Sequence, residues 1–524
     1  MNKIQEHSKR QMYLLPLPVI IALSIALINS FIGESIPLMI VDLRHQMQLT
    51  IEQAGLLRFA PAAAGILIAP SAGAITDTLG PKRTLTTALS LFAVGGFVIA
   101  MSTDSSLLIL GLLILGLGQI PASVIAYSML SKSASNSKQL GIYIAAWGTT
   151  YNIGYLLFPP ISGWILAQTD RSWIVIGRIL TIAAATLLFL IIKLLKNARK
   201  KDAVEPIEWS WMLNLGIIFS LTTAIPILDV VVPQLTRPLI GVDVAMTILL
   251  IRLIKQCDAT RRQLEFIINP SVLLGMLAVS SSFLVDWNYY SERFITLRHS
   301  LQLHISAAWL TPANLMGLAG VSLFGILSLR HGILRSTSTS LALWLASSLF
   351  FIFVTTSTPI YATAAAIAAF TFLCAFTLAG LQTTVTLKVN KANLGAFSSV
   401  LLGFDNMAAS MGGALTSDIM MNTYKEAYAD RLEPLSLSSE LTNKIIHWLG
   451  EGKFHLVLEN DYNIPALVVN RYLLRSSPIR IDVFTSCLQA LGYLCLAMII
   501  LVTVLYASAW LLQRRQARLV STEA

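Results

Sequence analysis

The chain has 524 residues, 55% of them hydrophobic and only 12% charged, with a mean hydropathy of +0.70. A soluble globular chain carries about 25% charged residues, so the composition excludes a string of soluble domains, and the apolar content excludes a disordered chain. Four cysteines exclude a disulfide scaffold, and the net charge of +10 reads as orientation charge on membrane loops rather than as a nucleic-acid surface.

A helix crossing the hydrocarbon core needs about 20 mostly apolar residues. In chain order, spans are expected near 14–40, 54–75, 84–101, 106–129, 139–166 and 173–195. A basic connector follows, then a pair near 211–231 and 237–255, whose turn is crowded by Pro226, Asp229, Pro233 and Arg237. Six more are expected near 268–286, 303–328, 338–356, 359–387, 393–416 and 482–511, making fourteen. No cleavable signal peptide is expected after the basic start Met1–Arg10.

Charge tests this alternation. With the N-terminus inside, the cytoplasmic segments hold 23 Lys and Arg, against five in the six short outer loops. Long translocated loops escape the positive-inside rule, and the one long outer loop, about 417–481, holds seven. Both termini are therefore expected to be cytoplasmic.

A repeat divides the chain. The first cytoplasmic turn runs Gly73-Ala-Ile-Thr-Asp77-Thr-Leu-Gly80-Pro-Lys82-Arg83, and the turn after span 10 runs Gly325-Ile-Leu-Ser-Leu-Arg330-His-Gly332-Ile-Leu-Arg335. Glycines fall at the first and eighth positions of both, and an arginine at the eleventh. The first glycine admits a close helix neighbour, the second a tight turn, and Asp77 is placed to cap a helix or to pair with a base. Two copies, each after the second span of its set, predict two parallel six-span repeats.

On these residues the chain resembles the major facilitator superfamily. Gly73, Asp77, Gly80, Lys82 and Arg83 match its motif between spans 2 and 3, with Thr78 where an arginine usually follows the aspartate. The resemblance implies an all-α membrane fold: a six-helix bundle over 1–199, a connector with two accessory spans over 200–265, and a second six-helix bundle over 266–524. Fourteen spans and a long loop at about 417–481 resemble the drug:proton antiporter branch. Gly154, Pro159 and Gly163 match that branch's span-5 motif, with Phe158 and Ser162 in place of glycines. In the family this segment is a kinked, closely packed helix between the bundles. Span 4 departs: Leu112 and Leu115 stand where exporters carry an arginine associated with proton coupling and a glutamine. Arg58 in span 2 and Arg178 in span 6 are the available substitutes.

Ionisable groups in a span cost about 2.5–3.5 kcal/mol each on insertion scales and usually face a cavity. Glu34 in span 1, framed by Asn29, Gly33, Ser35 and Pro37, and the Asp405-Asn406 pair near the middle of span 13 are the candidate proton-coupling and substrate residues, together with Arg58. Burial favours a neutral carboxyl, so a proton and a lipophilic cation can compete for one. The alternative for each is a structural carboxylate held by a neighbour; for Arg58, an ion pair with Asp42 or Glu34. Tyr143, Trp147, Tyr151 and Tyr155 recur every four residues and form one face of span 5. That face is either a stacking surface for an aromatic cation or packing. Trp309, Asn314 and Gln382 are cavity candidates by polarity. Asp229, Asp243 and Asp286 are expected in solvated or capping roles. In the long loop, Thr442–Leu449 and Pro465–Leu474 read as short amphipathic helices on the outer face.

The expectation is a multi-pass transporter of a bacterial inner membrane, acting as a monomer in the lipid bilayer. It would export small amphipathic or cationic compounds by alternating access, with the proton as coupling ion. The alternatives are a carrier of an anionic metabolite or siderophore contacted by Arg58 and Arg178, and a non-transporting receptor or scaffold. No nucleotide loop, metal spacing or nucleophile–base set is present in the sequence, so neither an enzyme nor a cofactor is expected.

Overall fold

The computed structural model describes residues 15–46, 51–169, 171–195, 208–231, 233–284, 303–432 and 478–523. Among them the only regular structure is helical. Six helices come first: α1 (Leu17–Gln46), α2 (Ile51–Leu79), α3 (Pro81–Met101), α4 (Ser105–Ser133), α5 (Ser137–Gln168) and α6 (Ser172–Leu194). The accessory pair is α7 (Trp209–Val231) and α8 (Pro233–Gln256), followed by the short α9 (Asp258–Gln263) and α10 (Glu265–Ile268). The last set is α11 (Pro270–Ser281), α12 (Leu303–His331), α13 (Ile333–Ile352), α14 (Ile360–Thr386), α15 (Leu394–Leu432) and α16 (Pro478–Glu523).

Eight of these helices contain a stretch long and apolar enough to cross a membrane, from Leu17–Ile36 in α1 to Asp482–Arg515 in α16. Two expected boundaries move. The segment 417–432, placed in the long loop by composition, continues α15 as helix, and α16 already begins at Pro478. Charged side chains ended the apolar window but do not end a helix whose hydrogen bonds can continue outside the hydrocarbon. The expected helices within 442–474 lie outside the described residues.

Local chemistry explains the short connections. Asp104 caps α4 by accepting the Leu107 N–H at 3.0 Å, and Asn136 caps α5 by accepting that of Gln139 at 2.9 Å. Gln139 returns the bond by accepting the Ser135 N–H at 2.9 Å. The two repeated turns share a backbone: Gly80 has φ 83° and ψ 154°, and Gly332 has φ 82° and ψ 148°. Only glycine enters that region without strain.

Glycines also set the helix spacing, since lipid offers no hydrophobic drive and close backbone contact must replace it. A Cβ on Gly95 or Gly118 would overlap the α4 or α3 backbone opposite, and Gly96 meets Gly177 of α6. Leu112, at the position expected for an arginine, is fully buried among Phe92, Leu108, Leu115 and Leu180. That part of α4 is apolar core.

Helices α1–α6 pack among themselves, as do α11–α16. The two sets meet along α2–α15 and α5–α12, with α4 and α14 alongside. A Cβ on Gly73 would overlap the Gly395 carbonyl, and the Gly73 N–H donates to Ser399 Oγ at 3.1 Å. Thr149 and Ser322 hydroxyls lie 3.2 Å apart across α5–α12, where Gly148 faces Val321.

Candidate functional site

Asp405 lies on α15 where α4, α11 and α14 converge, and is only 5% exposed. Ser280 of α11 donates its hydroxyl to Asp405 Oδ1 at 2.7 Å. Oδ2 has no hydrogen-bond partner among the described residues. A buried oxygen in that condition is costly when ionised. Tyr127 of α4 is fully buried, interacts electrostatically with Asp405, and its hydroxyl lies 3.1 Å from Thr386 Oγ1 of α14. Asn406 is half-buried and turns back on its own helix, donating to the Leu402 carbonyl at 2.6 Å.

The aromatic face of α5 is interior. Tyr127 packs edge-on against Trp147 at 5.9 Å, Trp147 against Tyr151 at 5.5 Å, and Tyr151 lies 6.2 Å from Tyr155. Tyr143 and Trp147 are buried, whereas Tyr151 and Tyr155 are half-buried. Tyr151 hydrogen-bonds with Asn29 and Ser123, and Asn29 donates to Ser123. Asn29 is thus a buried structural partner of the column. Glu34 is half-buried on α1, next to Gly33, whose Cβ position lies 3.9 Å from the Tyr155 ring. From Trp147 to Tyr155 the α5 axis rises about 12 Å, so the column links the Asp405 end of the seam with the Glu34 end. Asn314 of α12 donates to the Tyr155 carbonyl at 3.3 Å, and Gln382 is half-buried on α14.

The turn motif forms a second cluster. Asp77 pairs with Lys132 of α4 and accepts the backbone N–H groups of Gly395 and Ala396. Those N–H groups lie in the first turn of α15, where a helix terminus favours negative charge. Both roles anticipated for Asp77 are therefore filled at once, one of them across the seam. Lys391, just before α15, donates to the Ala134 carbonyl at the end of α4 at 2.9 Å. Lys82 reaches the Ile192 carbonyl of α6 at 2.7 Å, and Arg83 is exposed.

Other expected positions divide. Gly154 packs so closely on Ser30 that a Cβ would overlap its hydroxyl, whereas Gly163 faces open space and is exposed. The close packing expected at Gly163 is not found among the described residues, because Gly163 lies on the outward face of α5, whereas the adjacent Ser162 is buried and its hydroxyl lies 2.8 Å from that of Ser35 on α1. The side chains of Pro159, Arg58, Asp42, Asp229 and Trp309 lie outside the described residues, as does Asp286. Arg178 is exposed, on the face of α6 opposite Ile176, Gly177 and Leu180, so it does not supply a cation to the interior. Asp243 is neither a cap nor simply solvated: its Oδ2 accepts from Thr222 of α7 at 3.0 Å.

Sequence reasoning missed Ser280, Tyr127, Thr386, Ser123 and Lys132. Single hydroxyls are common in membrane helices, and only their convergence in space distinguishes these. Two open clefts lie at helix ends, away from Asp405. One of about 890 Å3 runs along α9–α11 to Lys388 and Asn393, and one of about 600 Å3 includes Ser137, Asn269, Arg335 and Lys388.

Residues 20–416 match the family described as the Major Facilitator Superfamily. The chain is 28% identical over 225 residues to the Quinolone resistance protein NorA of Staphylococcus aureus strain MSSA476, covering 38% of this chain and 57% of that protein. It is 32% identical over 151 residues to NorA of strain Mu50 / ATCC 700699, covering 28% of this chain and 38% of the relative. The matches thus span well under two thirds of these relatives. Solved structures share the fold at low identity. The human organic anion transporter MFSD10 superposes with a TM-score of 0.55 at 13% identity, covering 92% of this chain and 98% of that one. A bacterial homologue of the iron transporter ferroportin, in an outward-facing state, gives 0.57 at 12% identity, covering 94% and 99%.

Proposed function

This chain belongs to the Major Facilitator Superfamily and is a multi-pass membrane transporter, and on that premise we propose that it exports small amphipathic or cationic compounds in exchange for protons. The proposed topology has fourteen spans and cytoplasmic termini, in a bacterial inner membrane. Bundles at 1–199 and 266–524 flank an accessory pair within 200–265. Transport proceeds by alternating access between the bundles.

The observation that carries this reading is Asp405: buried at the seam, half satisfied by Ser280, and left with one bare oxygen. An ionised carboxylate buried there has no cationic partner among the described residues, so a proton or a cationic substrate is what would neutralise it. Competition between them for one carboxylate yields exchange. The α5 column of Trp147, Tyr151 and Tyr155 supplies aromatic faces for a cation within the same seam. Glu34 is the second proposed carboxylate, at the other end of that column. The likeness to a quinolone resistance protein supports a drug-like substrate. Of the two arginines on which the anion reading rests, Arg178 is exposed rather than interior, which favours the cation reading.

The test is ethidium movement in proteoliposomes with an imposed pH gradient. Wild type is expected to move the dye against its gradient and to lose that ability with a protonophore. Asp405→Asn is expected to remain in the membrane yet show no response to the pH gradient, with Asp405→Glu keeping part of it. A fully gradient-driven Asp405→Asn protein would remove this carboxylate from the mechanism.

A further inference from the structure

The accessory helix α7 is not peripheral. A Cβ on Gly216 would overlap the Leu67 carbonyl of α2, and Ser220 donates its hydroxyl to the Ala63 carbonyl at 3.2 Å. These contacts seat one face of α7 on the backbone of the first helix set. On its other side Phe219, 1% exposed, lies so close to Gly403 of α15 that a Cβ there would overlap the ring, and it stands 5.1 Å from Phe404. One turn further, Ser410 of α15 donates to the Thr223 carbonyl at 3.0 Å. One helix therefore grips both halves through side chains and main chain. By contrast α8 is mostly exposed, and nothing lies within 4 Å of a Cβ on its Gly241.

The order of contacts along the seam gives α7 a mechanical meaning. Helices α2 and α15 touch at Gly73–Gly395. The α7 contacts on α2, at Leu67 and Ala63, lie about 9–15 Å from that point at 1.5 Å per residue. Those on α15, from Gly403 to Ser410, lie about 12–22 Å along from Gly395 by the same rise. So α7 fills the space between the two helices beyond the point where they meet. Rocking α2 against α15 about that point changes the gap, and a helix is about 10 Å wide.

We infer that α7 is a wedge between the two halves that stabilises this arrangement and has to release either α2 or α15 for the carrier to turn over. The inference rests on the alternating-access reading above, and its test separates the two. Cysteine pairs Ala63→Cys with Ser220→Cys, and Thr223→Cys with Ser410→Cys, are introduced together in full-length protein whose native cysteines are replaced by serine. With both disulfides formed in proteoliposomes, ethidium efflux is expected to fall to the protein-free background and to recover on reduction. Efflux at the reduced rate with both bonds formed would overturn the wedge.

A second measurement needs no transported compound. Spin labels at Lys138→Cys and Arg335→Cys, both exposed and on opposite halves, report the separation of the halves. Phe219→Ala, or Phe219→Leu should the alanine variant fail to accumulate, is expected to add a second distance population or enlarge a minor one. Gly241→Ala is expected to leave the wild-type distribution. A Phe219 variant with the wild-type distribution contradicts the wedge. Absent efflux in the reduced protein, together with a shifted distribution, overturns the transport reading and leaves the wedge standing.

Discussion

Asp77 reaches two partners because it stands at the end of α2, level with the start of α15 and beside Lys132. Its carboxylate spans the seam in this arrangement, so separation of the halves at this end leaves it with Lys132 alone. Leu112 works the other way: its side chain completes an apolar cluster, and a cation introduced there would be both buried and unpaired. Cysteine chemistry gives a check at the same scale. Cys257 precedes α9, outside the spans, and its polar surroundings at Thr260 hold its thiol below the ordinary range. More of it is thiolate at neutral pH, and thiolate is the reactive form. Cys487 and Cys495 are buried and Cys374 lies within α14. Maleimide at pH 7 in intact membranes is therefore expected to add one label, at Cys257, read by intact mass and peptide mapping. Prior labelling at any of the other three would contradict this placement.

Among helices, the repeated turn is where sequence and structure agree most closely. Gly80 and Gly332 adopt the same positive-φ geometry before α3 and α13, as the shared spacing of the two motifs implies. Gly332 has open space around it, so Gly332→Ala meets no steric neighbour and tests the backbone alone. The expected cost is about 1–3 kcal/mol of backbone strain in a positive-φ, extended region open essentially to glycine alone, seen as a lowered midpoint of thermal unfolding in detergent with transport retained. An unchanged midpoint would mean that the turn has another conformation. Asp77 has no counterpart in the second copy, where Leu329 occupies the position. The two turns share a shape, but only the first presents this carboxylate to the opposite half. The helix lengths were less legible: α15 and α16 both extend past their apolar windows, since hydropathy reports the solvent around a helix rather than its hydrogen bonding.

For the molecule as a whole, a small number of polar contacts join the halves along the seam among the described residues. Tyr127–Thr386 is one, fully buried and close to Asp405. Removing it with Tyr127→Phe keeps the ring against Trp147 and deletes one hydrogen bond, worth about 0.5–1.5 kcal/mol net. The balance between arrangements is then expected to shift by about twofold to tenfold, measured as the change in population ratio between the spin-labelled halves. An unaltered ratio would mean that this bond does not distinguish the states. The same measurement on Asp405→Asn asks whether the carboxylate communicates with the seam beside it.

Taken alone, the sequence determined the membrane class, the helical architecture, the repeated turn and the short set of residues worth suspecting, because hydropathy, charge asymmetry and glycine spacing are local properties. It also placed Tyr143, Trp147, Tyr151 and Tyr155 on one face, since helical periodicity is local too. Only the tertiary structure decided where that face points, that Asn29 and Asn406 are occupied by structural bonds, that Arg178 faces outward, and that Ser280 and Tyr127 attend Asp405. It alone put α7 between α2 and α15. Apart from the bond of Asn406 to Leu402 on its own helix, these depend on contacts between residues tens to hundreds of positions apart, and apolar helices in lipid are too alike in composition to specify their neighbours. What selects the neighbours is backbone-close glycine packing and a few matched hydroxyls, which become visible only when the helices are assembled.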